Sequence, residues 1–158
     1  MKILLVAVNA KYIHSNLAVY SLKANCGRYE SQMKLMEYSI NQYPEEILRG
    51  IYREKADVVC FSCYIWNLRY VEELIKEIHK ILPETILWAG GPEVSYDSRN
   101  VLERLPELTG VMKGEGEKTF LELLNCYHSK GKIQDDLEDI TGITFRRTDG
   151  TIVENEWR

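Results

Sequence analysis

A chain of 158 residues that is 45% hydrophobic and 28% charged can bury the core of one globular domain. Its 20 basic and 24 acidic side chains leave a formal charge of -4, which excludes a basic field for recruiting nucleic acid. The amino-terminal apolar run is too short for a membrane span or a secretory leader, so the chain reads as soluble and cytoplasmic.

That run, Ile3 to Val8, is apolar throughout, as expected of a central parallel strand. A polar and aromatic loop, Asn9 to Asn16, leads into a helix from about Leu17 that stops at Gly27. Met33 to Tyr38 reads as a second strand. Pro44 then suits a first helical position, and Ile47, Leu48, Ile51 and Tyr52 supply the apolar face of that helix. The third strand is Asp57 to Tyr64. It contains Cys60 and Cys63, whose spacing suggests a metal or redox pair. Side chains three apart on a strand point to opposite faces, however, so the two thiols read as ordinary buried cysteines.

The next helix carries Leu68, Val71, Leu74, Ile75, Ile78 and Leu82 on one stripe and ends at Pro83. Thr85 to Ala89 is a fourth strand, running into Gly90-Gly91-Pro92-Glu93. A short helix around Ser98 to Leu105 precedes a fifth strand, Gly110 to Lys113. Gly114-Glu115-Gly116-Glu117 then opens a helix to about Lys130. His79 and His128 lie late in helices, where they suit the helix dipole. Finally, two β-like runs flank Asp149-Gly150, a strong hairpin signal.

Strand and helix alternate five times. This predicts a Rossmann-like (flavodoxin-like) α/β fold, with a five-stranded parallel sheet of order 2-1-3-4-5 and helices on both faces. Residues 1–131 form this domain, and residues 132–158 are a C-terminal β-hairpin that reads as a connector in a fragment of a longer protein. In this order the loops after strands 1, 3 and 4 converge on one rim at the carboxyl ends of the strands.

The ligands common to this sheet order make distinct demands. A phospho-acceptor domain needs acids after strand 1 and a carboxylate after strand 3. The chain has Asn9-Ala10-Lys11 and Tyr64-Ile65-Trp66 there, and only Lys113 matches. A flavin needs a small polar phosphate loop after strand 1, which Lys11-Tyr12-Ile13-His14 supplies poorly. The two carboxylates of the Gly114–Glu117 loop repel a pyrophosphate, and the glycine pattern alone is a weak signal.

From Ala56 onward, ADVVCFSCYIWNLRYVEELIKEIHK…TILWAGGPEVS resembles cobalamin-binding domains strand for strand. Those domains carry Ser-x-Leu after strand 3 and Gly-Gly after strand 4. Ser62-Cys63-Tyr64 occupies the first place, with Tyr64 departing from Leu, and Gly90-Gly91 the second. The succession of GGPE, GEGE and a hairpin is similar to the amino-terminal domain of cobalamin-dependent radical S-adenosylmethionine enzymes, over essentially the whole chain. The resemblance implies a cobalamin whose nucleotide tail leaves cobalt and threads between sheet and helices. Small residues, Ser62, Gly90 and Gly91, would let it pass, with Pro92 stiffening the exit. Tyr12, Ile13, Tyr64 and Trp66 would line the ring by apolar contact, Asn9, Ala10, Glu93 and Glu115 would belong to the cofactor site, and Gly114 and Gly116 would let the backbone close over the corrin amides or against the missing domain.

The family's first loop carries Asp-x-His-x-x-Gly, with the histidine as lower cobalt ligand. This chain keeps only His14 of that motif, either as that ligand or as a polar loop residue beside the corrin. The resemblance further implies a missing radical domain with an iron–sulfur cluster (4Fe-4S) and S-adenosylmethionine, so the fragment alone is not catalytically complete. Methyl transfer is the reaction it points to. A noncatalytic flavodoxin-like interaction module or a flavin-binding module stands as the alternative.

Overall fold

A computed structural model of the chain describes residues 1–12, 14–131 and 136–158. Its elements in chain order are β1 (Ile3–Asn9), α1 (Leu17–Ala24), a 3₁₀ turn (Gly27–Gln32), β2 (Met33–Ser39), α2 (Pro44–Glu54), β3 (Val58–Ser62) and α3 (Leu68–Ile81). There follow β4 (Ile86–Gly90), α4 (Pro92–Ser95), α5 (Ser98–Arg104), β5 (Gly110–Met112), α6 (Glu117–Lys130), β6 (Ile143–Arg146) and β7 (Ile152–Glu154).

Five strands pair in parallel in the order 2-1-3-4-5, as the alternation of the chain predicts. β1 is buried along its whole length because helices cover both faces. Leu4, Val6 and Val8 pack with Ile47 and Ile51 of α2 and with Val71, Leu74, Ile75 and Ile78 of α3. Ile3, Leu5 and Ala7 face the other way, toward Val19 of α1 and Phe120, Leu123, Leu124 and Tyr127 of α6. β3 splits its two cysteines in the same manner, Cys60 into the α1/α6 core and Cys63 into the α2/α3 core. The four thiols are unpaired.

The hairpin belongs to the sheet. β6 runs antiparallel to β5, with Gly110 opposite Phe145 and Met112 opposite Ile143, and β7 follows, so the sheet has seven strands. β5 is only three residues long and leaves an edge open to pairing, which β6 covers. Ile143 and Phe145 bury their side chains in the α1/α6 core, and Thr144 shares a buried hydroxyl hydrogen bond of 2.7 Å with Ser98 of α5.

Candidate functional site

The carboxyl ends of β1, β3, β4 and β5 face one rim, as their parallel register requires. Beneath it a cavity of about 340 Å³ opens between the sheet and α1. That volume lies at the lower end of the ~300–1,000 Å³ typical of small-molecule sites. Its floor is Leu5, Cys60, Ser62, Gly90 and Met112, its α1 wall Ala18, Val19 and Leu22, and its far wall Pro92, Ser95, Tyr96 and the Gly114–Glu117 loop.

The two glycines of the β4 terminus are there for different reasons. Gly91 has φ +111°, and a Cβ on it would run into the carbonyl oxygen of Cys63, whose own amide donates to Gly90 O at 2.7 Å. Its backbone alone demands glycine. At Gly90 a Cβ would meet nothing nearer than Met112 O, at 3.6 Å. Position 90 has the parity of buried Trp88, which packs on the α1/α6 side, and it lines the cavity. Neither strain nor crowding from the protein explains Gly90. Any longer side chain there would fill the groove.

Ser62 lies on the same face, two residues beyond Cys60. Its hydroxyl accepts from Asn16 Nδ2 at 3.0 Å, which leaves its own proton available for a ligand. Asn16 also caps α1, its Oδ1 accepting from Ala18 N at 3.1 Å. Asn16 is in turn held by Glu37 of β2. That carboxylate accepts from Asn16 N at 3.0 Å, from Asn9 Nδ2 at 3.1 Å and from Tyr20 Oη at 2.6 Å. Burial pushes Glu37 up, but the three hydrogen bonds outweigh it and hold the carboxyl below its ordinary value. On the far wall, buried Ser95 donates to Gly91 O at 2.8 Å and accepts from Gly114 N at 3.2 Å, tying the two glycine loops together. Glu117 accepts from Ser21 Oγ at 2.6 Å, bridging α6 to α1 across one end of the groove.

Of the residues singled out in the sequence, the fold gathers Ser62, Tyr64, Gly90, Gly91, Pro92, Gly114, Glu115 and Gly116 around this cavity. Asn9, Ala10, Tyr12, His14, Trp66 and Glu93 stand outside its lining. Asn9 is buried and bonded to His14 O and Glu37, whereas Tyr12 and His14 are exposed on the loop. Ile13 lies outside the described residues. Trp66 stacks on cavity-lining Tyr64 with ring centroids 4.6 Å apart. Sequence reading missed Ala18, Val19 and Leu22, whose small-to-medium apolar pattern looks like any helix face, and Ser95 and Tyr96, which follow the glycines too closely to suggest a helix. Glu37 carried no signal at all, because its role depends on β2 lying beside β1.

The chain matches the B12 binding domain family over residues 3–124, and it belongs to that family. It is 32% identical to the cobalamin-dependent radical SAM methyltransferase TokK of Streptomyces tokunonensis over 109 residues, 69% of this chain and 15% of that protein. It is 30% identical to the hopanoid C-3 methylase of Methylococcus capsulatus over 114 residues, 71% of this chain and 22% of that protein. The fold is that of a segment of the cobalamin-dependent S-adenosylmethionine radical enzyme OxsB, solved with aqua-cobalamin and S-adenosylmethionine. The TM-score there is 0.77 at 19% identity, over 99% of this chain and 22% of that one. The chain thus spans between 15% and 22% of the length of these relatives.

The groove suits the cofactor of the family. A flat aromatic base needs a slot with apolar walls and no side chain crossing it, which Val19, Leu22 and Met112 provide with Gly90 between them. The ribose and amide groups need scattered hydrogen-bonding partners, which Ser62 and the exposed backbone of the glycine loops offer. No basic side chain lines the cavity among the described residues, so a polyphosphate has no counter-charge there.

Proposed function

We propose that this cobalamin-binding domain serves a radical S-adenosylmethionine enzyme, and that the enzyme is a methyltransferase. Residues 1–131 make the cobalamin-binding unit, and residues 132–158 lead toward a radical domain of the same chain that carries the 4Fe-4S cluster and S-adenosylmethionine. The relatives support this reading: two of them are methylating enzymes by name, and each is several times longer than this chain. Cytoplasmic residence is supported by four unpaired thiols and by the lack of any described helix long and apolar enough to cross a membrane.

Bound cobalamin would supply a cobalt centre able to carry a methyl group to an unreactive carbon. The chain's own residues hold and orient it. Gly90 leaves the slot open for the nucleotide base, and Ser62, oriented by Asn16, donates to the base or ribose. Val19, Leu22 and Met112 exclude water from the base. The Gly114–Glu117 loop offers carboxylates and amides to the corrin side chains, and Tyr64 with Trp66 gives the ring an apolar edge. His14 is exposed, its backbone N–H donating to Lys11 O at 3.1 Å, and it serves as a polar neighbour of the corrin.

The observation that carries the assignment of the groove to cobalamin is Gly90, where a Cβ has room but any longer side chain would enter the groove. The test is a visible-spectrum titration of the full chain with hydroxocobalamin, beside Gly90→Leu. We expect saturable binding with a base-off spectrum in the wild type, lost in the variant while the fold is kept. Equal binding by the variant would remove Gly90 from the site, and no spectral change in the wild type would overturn the assignment of the groove. Gly91 is the poorer place to test, because a substitution there disturbs the backbone first.

A further inference from the structure

Lys113 is the residue after β5, and its side chain is completely buried. A buried ammonium persists only when its donors are satisfied. Among the described residues, its partners come from the last residues of the chain. Nζ donates to Asn155 O at 2.7 Å and to Glu154 Oε1 at 3.3 Å, and it lies 5.0 Å from the centroid of the Trp157 ring. The segment is fastened at further points. Asn155 Nδ2 donates to Leu137 O and Ile140 O, both at 2.8 Å, and Gly142 N donates to Glu156 O at 2.7 Å. Gly142 O in turn accepts from Lys113 N at 2.7 Å. Arg158 pairs with Glu122 of α6 and donates to Thr119 Oγ1 at 3.2 Å.

What this segment holds is the cavity wall. The Trp157 ring packs against the Cα of Gly114, where a Cβ would meet it at 3.6 Å, and against the Tyr96 ring, with centroids 5.6 Å apart. Gly114 and Tyr96 both line the groove, and Trp157 does not. Gly114 has φ +64°, so the loop turns sharply at the point where the indole lies beside it.

We propose that residues 154–158 form a strap that positions the far wall of the cobalamin groove, with Lys113 as its anchor and Trp157 as its contact. Trp157 meets the lining of the groove through Gly114 and Tyr96 and does not itself line it, so Trp157 is a positioning residue. Its removal leaves the sheet intact but lets the Gly114–Glu117 loop and Tyr96 relax from the geometry that meets the ligand. This inference rests on the assignment of the groove to cobalamin.

The test is the same hydroxocobalamin titration of the full chain, carried out on wild type, Trp157→Ala and Trp157→Phe, with urea unfolding of each apoprotein. Trp157→Ala should weaken binding about tenfold, a factor equal to about 1.4 kcal/mol, while the apoprotein still unfolds in one cooperative urea transition at a somewhat lower midpoint, and Trp157→Phe should restore affinity. Hydrogen exchange on the wild type gives an independent readout. Cobalamin should protect the amides of 114–117 and of 154–158 together. Wild-type binding with unaltered affinity in Trp157→Ala, or protection confined to 114–117, would overturn the strap while leaving the groove assignment standing. Failure of the wild type to bind would overturn both.

Discussion

At the scale of single residues the site is organised by groups that never reach it. Glu37 shows this best: it fastens Asn9, Asn16 and Tyr20, and Asn16 then presents its amide to Ser62. The carboxyl sits below its ordinary value in the folded chain, so its contribution to stability is present above the unfolded value and lost as pH falls through the folded one. The stability difference between wild type and Glu37→Gln should therefore be open at neutral pH and close as acid takes the solution below the ordinary carboxylate range. Paired urea titrations across pH would reveal it, and a difference that persists undiminished into acid would contradict the hub. The glycines at β4 were legible in the sequence because a Gly-Gly pair is a local signal. Which glycine the backbone itself requires was not legible, since that depends on Cys63 arriving beside Gly91, while the nearest neighbour of Gly90, Met112, leaves room for a Cβ.

At the scale of elements, α6 is the pillar of the ligand-bearing face. Phe120, Leu123 and Leu124 are fully buried against the sheet, and Tyr127 accepts a hydrogen bond from the buried Trp88 Nε1 at 2.9 Å. Trp88 in turn lies over Gly110, where a Cβ would strike its ring. Replacing Tyr127 by Phe keeps the shape and leaves the indole N–H without a partner, at a cost of about 1–3 kcal/mol. Urea unfolding of Tyr127→Phe should register that loss, while cobalamin affinity should stay unchanged because neither Tyr127 nor Trp88 lines the cavity and Phe keeps the shape of the packing beneath it. A coupled fall in affinity would mean that α6 transmits its tilt to the groove. The stripe of α3 and the apolar face of α2 were readable from periodicity alone. The small face of α1 was not, because Ala18, Val19 and Leu22 make the same pattern whether a helix packs tightly on a sheet or stands off from it.

At the scale of the whole molecule, the two cores bury three of the four thiols, with Cys60 at the floor of the groove. Burial pushes Cys26 and Cys63 up to about 12, and it raises Cys60 further, so none of them is a ready nucleophile near neutrality. Cys126 is only partly buried. A chromogenic aromatic disulfide should therefore label Cys126 first, with Cys26 and Cys63 following only as fast as the domain opens. Fast labelling of Cys26 or Cys63 in the native chain would show that one core breathes locally. Saturating cobalamin should slow the second phase further, because a ligand that binds only the folded state stabilises it.

The order of strands and helices was determined by the sequence itself, because hydrophobic period, helix caps and Gly-Pro punctuation are properties of neighbours along the chain. Crossover handedness then left few ways to arrange a parallel sheet. The Asp149-Gly150 hairpin was equally plain, yet its destination was not. Only the folded molecule decides that β6 closes the open edge of β5 and that the chain then returns to cover Lys113 and Gly114. The reason is physical. Pairing an exposed strand edge and satisfying a buried ammonium are demands set by groups far away in sequence, and no local pattern records where they will be met.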